Sequence, residues 1–246
     1  ETPAFTEESA DGKVPKAPFV QAVTESWRDM LRVMCCSLMN VIPVVTTIFG
    51  AAYAVQPGYG IGFEKDIYLW IPVLGNIVAV IVIPFVGNLS DKIGRKPPII
   101  VGALASGLLA YVYLYAISIH SVPLAICMSI LMWGIVYQGY NAVFPSFYPE
   151  MFPTRTRVSG MAISQNLGTL VTALLPALFA YVAPPGALDI PFTVGAITLA
   201  VTVVAAIAAF TARETYRVQM VDLGNPHAVP VPKKAYDAAR EKLMAG

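Results

Sequence analysis

Charge is scarce in this chain and unevenly spread. No Asp, Glu, Lys or Arg occurs between Ile67 and Ser90, nor between Pro97 and Pro149. Charged residues fill 13% of the 246 positions, against about 25% in a soluble domain. A large core could be built from such a chain, but it could not be given a wetted shell. The net charge of +1 leaves no electrostatic footprint for nucleic acid. Cysteine is equally sparse. Cys35, Cys36 and Cys127 all sit in apolar runs, their number is odd, and no CxxC spacing occurs. A disulfide framework or a zinc site is not expected, and the three read as small apolar packers. There is no His/Glu cluster, no GxSxG and no phosphate-cradling glycine loop. An enzyme is therefore not expected, nor are catalytic residues, a metal or a cofactor. An initiating Met, a basic n-region and a signal-like apolar stretch are also missing. The polar, Pro-dotted opening, residues 1–26, reads as a cytoplasmic linker.

What remains is mostly apolar: 57% hydrophobic residues and a mean hydropathy of +0.65. Six runs stand out, roughly 33–55, 67–89, 98–119, 122–148, 158–183 and 190–212. Each exceeds the roughly 18–20 residues that a helix needs to cross about 30 Å of hydrocarbon. Six in succession cannot all be buried in one soluble domain of this size. Pro43, Pro72, Pro84, Pro123, Pro145 and Pro176 fall inside them. Prolines are tolerated in membrane helices, where neighbours re-satisfy the freed carbonyls. The predicted fold class is all-α: a polytopic membrane protein of six transmembrane helices over 27–217, with a polar tail over 218–246.

The distribution of Lys and Arg sets the orientation. If each run crosses once, Lys13, Lys16, Arg28, Arg32, Lys92, Arg95, Lys96, Arg155, Arg157 and the six basic residues from Arg213 onward share one side. Of the 16 basic residues, only Lys65 lies opposite. The positive-inside rule makes the shared side cytoplasmic, with both termini inside. His120 falls in an outer loop and reads as a solvated surface residue.

One cytoplasmic turn, GNLSDKIGRKPP at 87–98, concentrates Asp91, Lys92, Arg95 and Lys96. Topology alone accounts for the basic residues. It does not account for Gly87, Asp91 and Gly94 at their spacings. The pattern Gly87-x-Leu89-x-Asp91-Lys92-x-Gly94-Arg95-Lys96 resembles the signature loop of the major facilitator superfamily at every defining position. The resemblance implies a turn between helices 2 and 3, or 8 and 9, in which Asp91 and Arg95 act as a conformational latch. A simple topology anchor is the alternative reading. A second stretch, FYPEMFPTRTRVSGMAISQNLG from Phe147 to Gly168, is similar to the segment linking helices 10 and 11 in the family's metabolite:proton symporter branch. Here Thr154 is expected to cap the next helix, and Glu150 to pair with Arg155 or Arg157. The resemblance covers 27–217 and implies one six-helix half, a 3+3 inverted repeat equivalent to helices 7–12. The partner it implies is an N-terminal six-helix half. It also implies alternating access for a small organic acid or zwitterion.

In that family, helices 7, 10 and 11 border the central cavity, and here these are runs one, four and five. Helical spacing places Ser129, Trp133, Tyr137, Tyr140 and Asn141 on one stripe of run four, with Gln138 beside it. Ser37, Asn40 and Thr47 share a face of run one. Gln165, Thr169 and Thr172 share a face of run five with Asn166 adjacent, and run two contributes Asn76. Asn40, Asn76, Trp133, Tyr137, Gln138, Asn141, Gln165 and Asn166 are the candidate substrate-cavity residues. Each reads equally as an interhelical hydrogen-bonding group. Run three offers the small residues Gly102, Ser106 and Gly107, and Tyr111, Tyr113 and Tyr115 as an outer aromatic belt. No Asp, Glu, Lys, Arg or His lies inside any run. Intramembrane charges usually mark ion pathways, so a proton-carrying group is expected outside this chain. A second architecture remains open, in which a stand-alone six-span subunit dimerises through a self-complementary face.

Overall fold

The structure is a computed structural model describing residues 18–219, 222–225 and 227–244. No strand occurs among the described residues. Six helices are long and apolar enough to cross a membrane. They are α1 (Val20–Val55), α2 (Lys65–Ile93), α3 (Lys96–Ser118), α4 (Val122–Glu150), α5 (Arg157–Val182) and α6 (Ile190–Thr211). A seventh helix, α7 (Lys233–Met244), lies in the tail.

The crossing helices match the six uncharged runs, with one difference at the start. Helix α1 is 36 residues long, about 54 Å at 1.5 Å per residue, well beyond a bilayer core. Its first turns carry Glu25, Arg28, Asp29 and Arg32. They continue the helix past the membrane boundary, with a kink at Ser26 (φ −125°, ψ 20°). The expected linker over 1–26 thus overlaps helix from Pro18 onward. Residues 1–17 lie outside the described residues.

Packing follows a pattern that repeats when α1, α2 and α3 are exchanged for α4, α5 and α6. Helix α2 packs on α4 as α5 packs on α1. Helix α3 packs on α4 as α6 packs on α1. The extensive contact of α3 on α6 maps onto itself. This is the arrangement expected of two three-helix repeats. Both α1 and α4 also contain a π-helical segment, Val44–Phe49 and Ile130–Val136. In α1 the segment follows Pro43, whose missing N–H and ring disturb the regular ladder.

Small residues bring the helices together, as expected where lipid removes the hydrophobic drive to associate. A Cβ on Gly102 would sit 3.1 Å from the Gly139 Cα, so α3 and α4 touch backbone to backbone. Gly107 abuts Thr202 of α6. The expected aromatic belt on α3 divides. Tyr115 is exposed, whereas Tyr113 is fully buried. The Tyr113 hydroxyl lies 2.8 Å from that of Tyr68, which donates to the Thr46 carbonyl at 2.6 Å. Three helices are tied there by one polar knot.

The helices differ in how much of them the others cover. In the most apolar stretch of α2 only 17% of residues are buried, and in that of α5 only 28%, against 61% in α1. Along α2, Leu69, Trp70, Val73, Ile77, Val80, Ile81 and Phe85 are exposed. Along α5, Leu167, Leu170, Val171 and Leu174 are exposed.

Candidate functional site

The turn between α2 and α3 is built around Arg95. Its Nη1 donates to Asp91 Oδ1 at 2.5 Å, one helical turn back, and to Ser90 Oγ at 2.8 Å. Its Nε and Nη2 reach the two carboxylate oxygens of Glu150, at the end of α4, at 3.4 and 3.3 Å. A planar guanidinium can serve both carboxylates at once, which a lysine ammonium cannot. Burial works to lower the Arg95 pKa. Glu150 and Asp91 outweigh it, and the net shift is upward, so the hub stays charged. Glu150 is held in turn by the Thr215 hydroxyl.

A further carboxylate completes the cluster. Glu214, just past α6, accepts the backbone N–H of Arg95 at 2.9 Å and of Lys96 at 3.1 Å. It caps the start of α3, where free N–H groups and the helix dipole favour an anion. Gly94 makes this approach possible. Its φ of +104° is costly for a residue with a Cβ, and a Cβ there would sit 2.7 Å from Glu214 Oε2. Lys96 Nζ lies 5.5 Å from the Phe210 ring centre, and Lys92 offers its carbonyl to the Tyr216 hydroxyl at 3.0 Å. Gly87 is different, because a Cβ there would meet nothing within 4 Å.

Two expectations for the α4–α5 segment need correction. Glu150 pairs with Arg95 rather than with Arg155 or Arg157. Arg155 reaches Glu25 of α1 at 2.9 Å, and Arg157 donates to the Phe152 carbonyl and Thr154 Oγ1, both at 3.4 Å. Thr154 does not cap α5. Residues 153–156 form a turn closed by Thr156 N–H to the Pro153 carbonyl, which moves the helix start to Arg157. A second charged cluster lies alongside. Asp29 of α1 accepts from Arg213 at 2.7 Å and Arg32 at 2.9 Å, and Arg213 also donates to the Met151 carbonyl. Burial lowers the Arg213 pKa despite Asp29. The contributions of Glu214, Thr215, Asp29 and Arg213 were missed from sequence. The available signal was acidic and basic residues flanking the last run, Arg213 and Glu214 foremost.

Among the candidate cavity residues, two side-chain clusters bridge neighbouring helices. Between α2 and α4, Trp133 Nε1 donates to Asn76 Oδ1 at 3.1 Å. The Asn76 amide nitrogen donates to the Pro72 carbonyl at 3.0 Å. The Trp133 ring stacks on Tyr137, with centres 5.5 Å apart and planes 21° apart. Between α1 and α5, Asn40 Nδ2 donates to Thr169 Oγ1 at 3.1 Å. The two clusters occupy exchanged helix pairs of the repeat. Asn76 is exposed, and Asn40 and Trp133 are partly so. Asn166 is exposed, its amide donating to the Ala162 carbonyl at 2.7 Å, and Gln165 is half-buried.

Tyr137 and Gln138 do not reach the open face. They are 3% and 1% exposed. The π-helical segment just before them shifts the helical register, so spacing counted at 3.6 residues per turn fails there. Gln138 Nε2 instead satisfies the Trp133 carbonyl at 2.7 Å, and its Oε1 accepts from Asn141 at 2.9 Å. Tyr140, expected on the same stripe, is also buried, 3.0 Å from the Tyr148 hydroxyl.

Residues 30–240 match the profile of the Major Facilitator Superfamily. The chain is 30% identical over 193 residues to a proline/betaine transporter of Escherichia coli, covering 74% of this chain and 37% of that protein. It is 28% identical to the proline/betaine transporter of Salmonella typhimurium over the same shares. It is 27% identical, again over 74% and 37%, to the glycine betaine/proline/ectoine/pipecolic acid transporter OusA of Dickeya dadantii. The chain thus spans little more than a third of the length of these relatives. With six apolar crossing helices, a matching signature turn and a profile match over most of its length, the chain is a multi-pass membrane protein belonging to the Major Facilitator Superfamily, a family of transporters rather than enzymes.

Proposed function

We propose that this chain is the C-terminal six-helix half of a secondary transporter that works by alternating access in the bacterial inner membrane, with both termini cytoplasmic. Its partner is an N-terminal six-helix half of the same transporter, seated on the faces of α2 and α5 that this half leaves uncovered. One observation carries the reading. The two polar clusters, Asn76–Trp133 and Asn40–Thr169, lie on the same helix pairs as those uncovered faces. Asn40, Asn76, Trp133, Asn141, Gln165 and Asn166 form one wall of the cavity, while Tyr137 and Gln138 support it from behind.

The substrate is a small zwitterion or organic acid. The relatives named for proline, betaine and ectoine support this class. No acid or base lies within the six uncharged runs of this half, so the wall offers neutral hydrogen bonds and an aromatic face. Proton coupling and recognition of substrate charge reside in the partner half. At the cytoplasmic surface, Gly87, Asp91, Gly94, Arg95, Lys96 and Glu150 form the latch, with Arg155 and Arg157 bracing the α4–α5 turn beside it. Rocking of one half against the other makes and releases contacts at this turn.

The test is uptake of radiolabelled proline and glycine betaine into vesicles holding the full-length transporter. Asn76→Ala and Trp133→Leu are expected to raise KM for a transported solute while leaving the protein in the membrane. Unchanged KM and kcat in both variants would remove these residues from the cavity. Cysteine labelling should place Arg95 and Arg157 on the same, cytoplasmic side.

A further inference from the structure

At the end of the bundle opposite the latch, the last turn of α1, the α1–α2 loop, the end of α3 and the α5–α6 loop border an open recess of about 350 Å³. Three tyrosines line it, Tyr53, Tyr59 and Tyr115, together with Ser118 and the carboxylate-bearing Asp189. The Tyr53 and Tyr59 rings meet at 88° with centres 5.4 Å apart, making two walls of a corner. The corner is fixed from behind. Phe49 stacks on Tyr53 at 5.9 Å, and the Tyr59 hydroxyl donates to the Ala183 carbonyl at 3.1 Å.

Asp189 has the position of an N-cap for α6, but it does not act as one. Its backbone is left-handed, with φ 56° and ψ 49°, and its side chain bonds no N–H of the helix. No hydrogen bond or ion pair engages this carboxylate among the described residues. The other charged groups on this side are Glu64, Lys65 and Asp66, so the face is acidic, unlike the basic latch face. An anion beside electron-rich rings, in a recess with no cation of its own, is the environment that recognises an ammonium group.

We propose that this recess is a binding site for an alkylated or primary ammonium group, separate from the substrate cavity. Asp189 supplies the counter-charge, and Tyr59 and Tyr115 supply the ring surfaces, while the buried Tyr53 backs the corner. Two sources present this chemistry at the membrane surface: the headgroup of an amine phospholipid and a free organic cation. The side of the recess formed by α3 and α6 continues into the exposed apolar residues Leu108, Val112 and Phe192, a surface on which acyl chains can lie.

The test uses the full-length transporter in nanodiscs made only of phosphatidylglycerol, with tetramethylammonium as the probe. Saturation-transfer NMR reads its binding against potassium at equal ionic strength. Saturable binding is expected, weakened about tenfold by Asp189→Asn and by Tyr59→Leu. Asparagine accepts the left-handed backbone, so Asp189→Asn removes the charge and keeps the loop. Tyr59→Phe keeps the ring and is expected to retain binding. Binding that is absent in the parent protein, or that persists unweakened in both Asp189→Asn and Tyr59→Leu, overturns the proposal. In the second case the cation sits elsewhere, including the substrate cavity. Adding phosphatidylethanolamine to the nanodiscs separates the sources: loss of the probe signal identifies the lipid headgroup, and an undiminished signal identifies a free solute. Solute uptake by Asp189→Asn is expected to stay at the parent level, so this outcome and that of the cavity variants are read independently.

Discussion

Glu214 and Arg95, 119 positions apart, are joined carboxylate to backbone: Glu214 Oε1 accepts the Arg95 N–H at 2.9 Å while Oε2 accepts that of Lys96. The segment just past the last crossing helix thereby caps the start of the third. The same few residues also carry the guanidinium bridge from Asp91 to Glu150. The signature turn is therefore held from α2, α4 and the segment after α6 together, and its position reports on the packing of the whole bundle.

Removing the cap has a defined cost. Glu214→Ala is expected to destabilise the protein by about 1–2 kcal/mol, the range for losing an N-terminal cap. Glu214→Gln, which keeps the hydrogen-bond acceptor but not the charge, should lose only about 0.3–1 kcal/mol. Thermal unfolding in detergent checks the order. Equal melting temperatures for all three proteins would remove the capping role.

The guanidinium fork predicts that charge alone will not sustain the latch. Arg95→Lys retains the positive charge but cannot span Asp91 and Glu150. Uptake is expected to fall between roughly 5- and 150-fold, the span of typical conformational couplings, with the protein still inserted. Asp91→Asn should fall in the same range. Unchanged uptake kinetics in both variants would reduce the turn to a topology anchor.

Two glycines should behave in opposite ways. Gly139→Ala forces a methyl toward the Pro98 carbonyl, a backbone atom that cannot swing aside. Overpacking of this kind costs about 1–3 kcal/mol, so poorer folding is expected. Gly87→Ala meets open space within this chain, and its stability should stay within about 0.5 kcal/mol of the parent. If the partner half packs at Gly87, uptake by the alanine variant will still drop. Measuring melting temperature and uptake on both variants separates a fold requirement from a partner requirement.

The Trp133–Asn76 hydrogen bond at 3.1 Å is open to a double-mutant cycle. Intramembrane hydrogen bonds average about 0.6 kcal/mol. Trp133→Phe and Asn76→Ala, singly and together, should give a coupling of that size in unfolding experiments. Strict additivity would mean that the two side chains are held by their own helices and not by each other.

Much of the fold was legible in the sequence because lipid makes the rule simple. A segment without charge must satisfy its backbone internally, and only a helix does so within one segment. The five runs from Ile67 onward were located to within a few residues. Helix α1 was not, because its first turns are charged and amphipathic and continue the helix into water. The signature turn is legible as a motif, but its partners are not. Glu150 was expected to pair with its sequence neighbours Arg155 and Arg157. The turn closed at Pro153 separates them, and Glu150 meets Arg95 of another helix instead. On α4 the polar stripe was counted at a regular helical period. The π-helical segment Ile130–Val136 broke the count, sending Tyr137 and Gln138 inward.

By itself, the sequence determined that this chain crosses a membrane six times and which loop carries the family's charged turn. Both follow from local chemistry, namely the cost of placing charge in hydrocarbon and the backbone freedom of glycine at fixed spacings. Only the tertiary structure decided that Glu214 caps α3, that Tyr113 is buried against Tyr68, and that Asn76 and Asn40 each meet a side chain of another helix. Those pairings depend on which helices touch and at what register. In lipid, where apolar side chains find solvent and neighbour equally good, that choice rests on close backbone contacts such as Gly102 on Gly139 and on hydrogen bonds between distant segments.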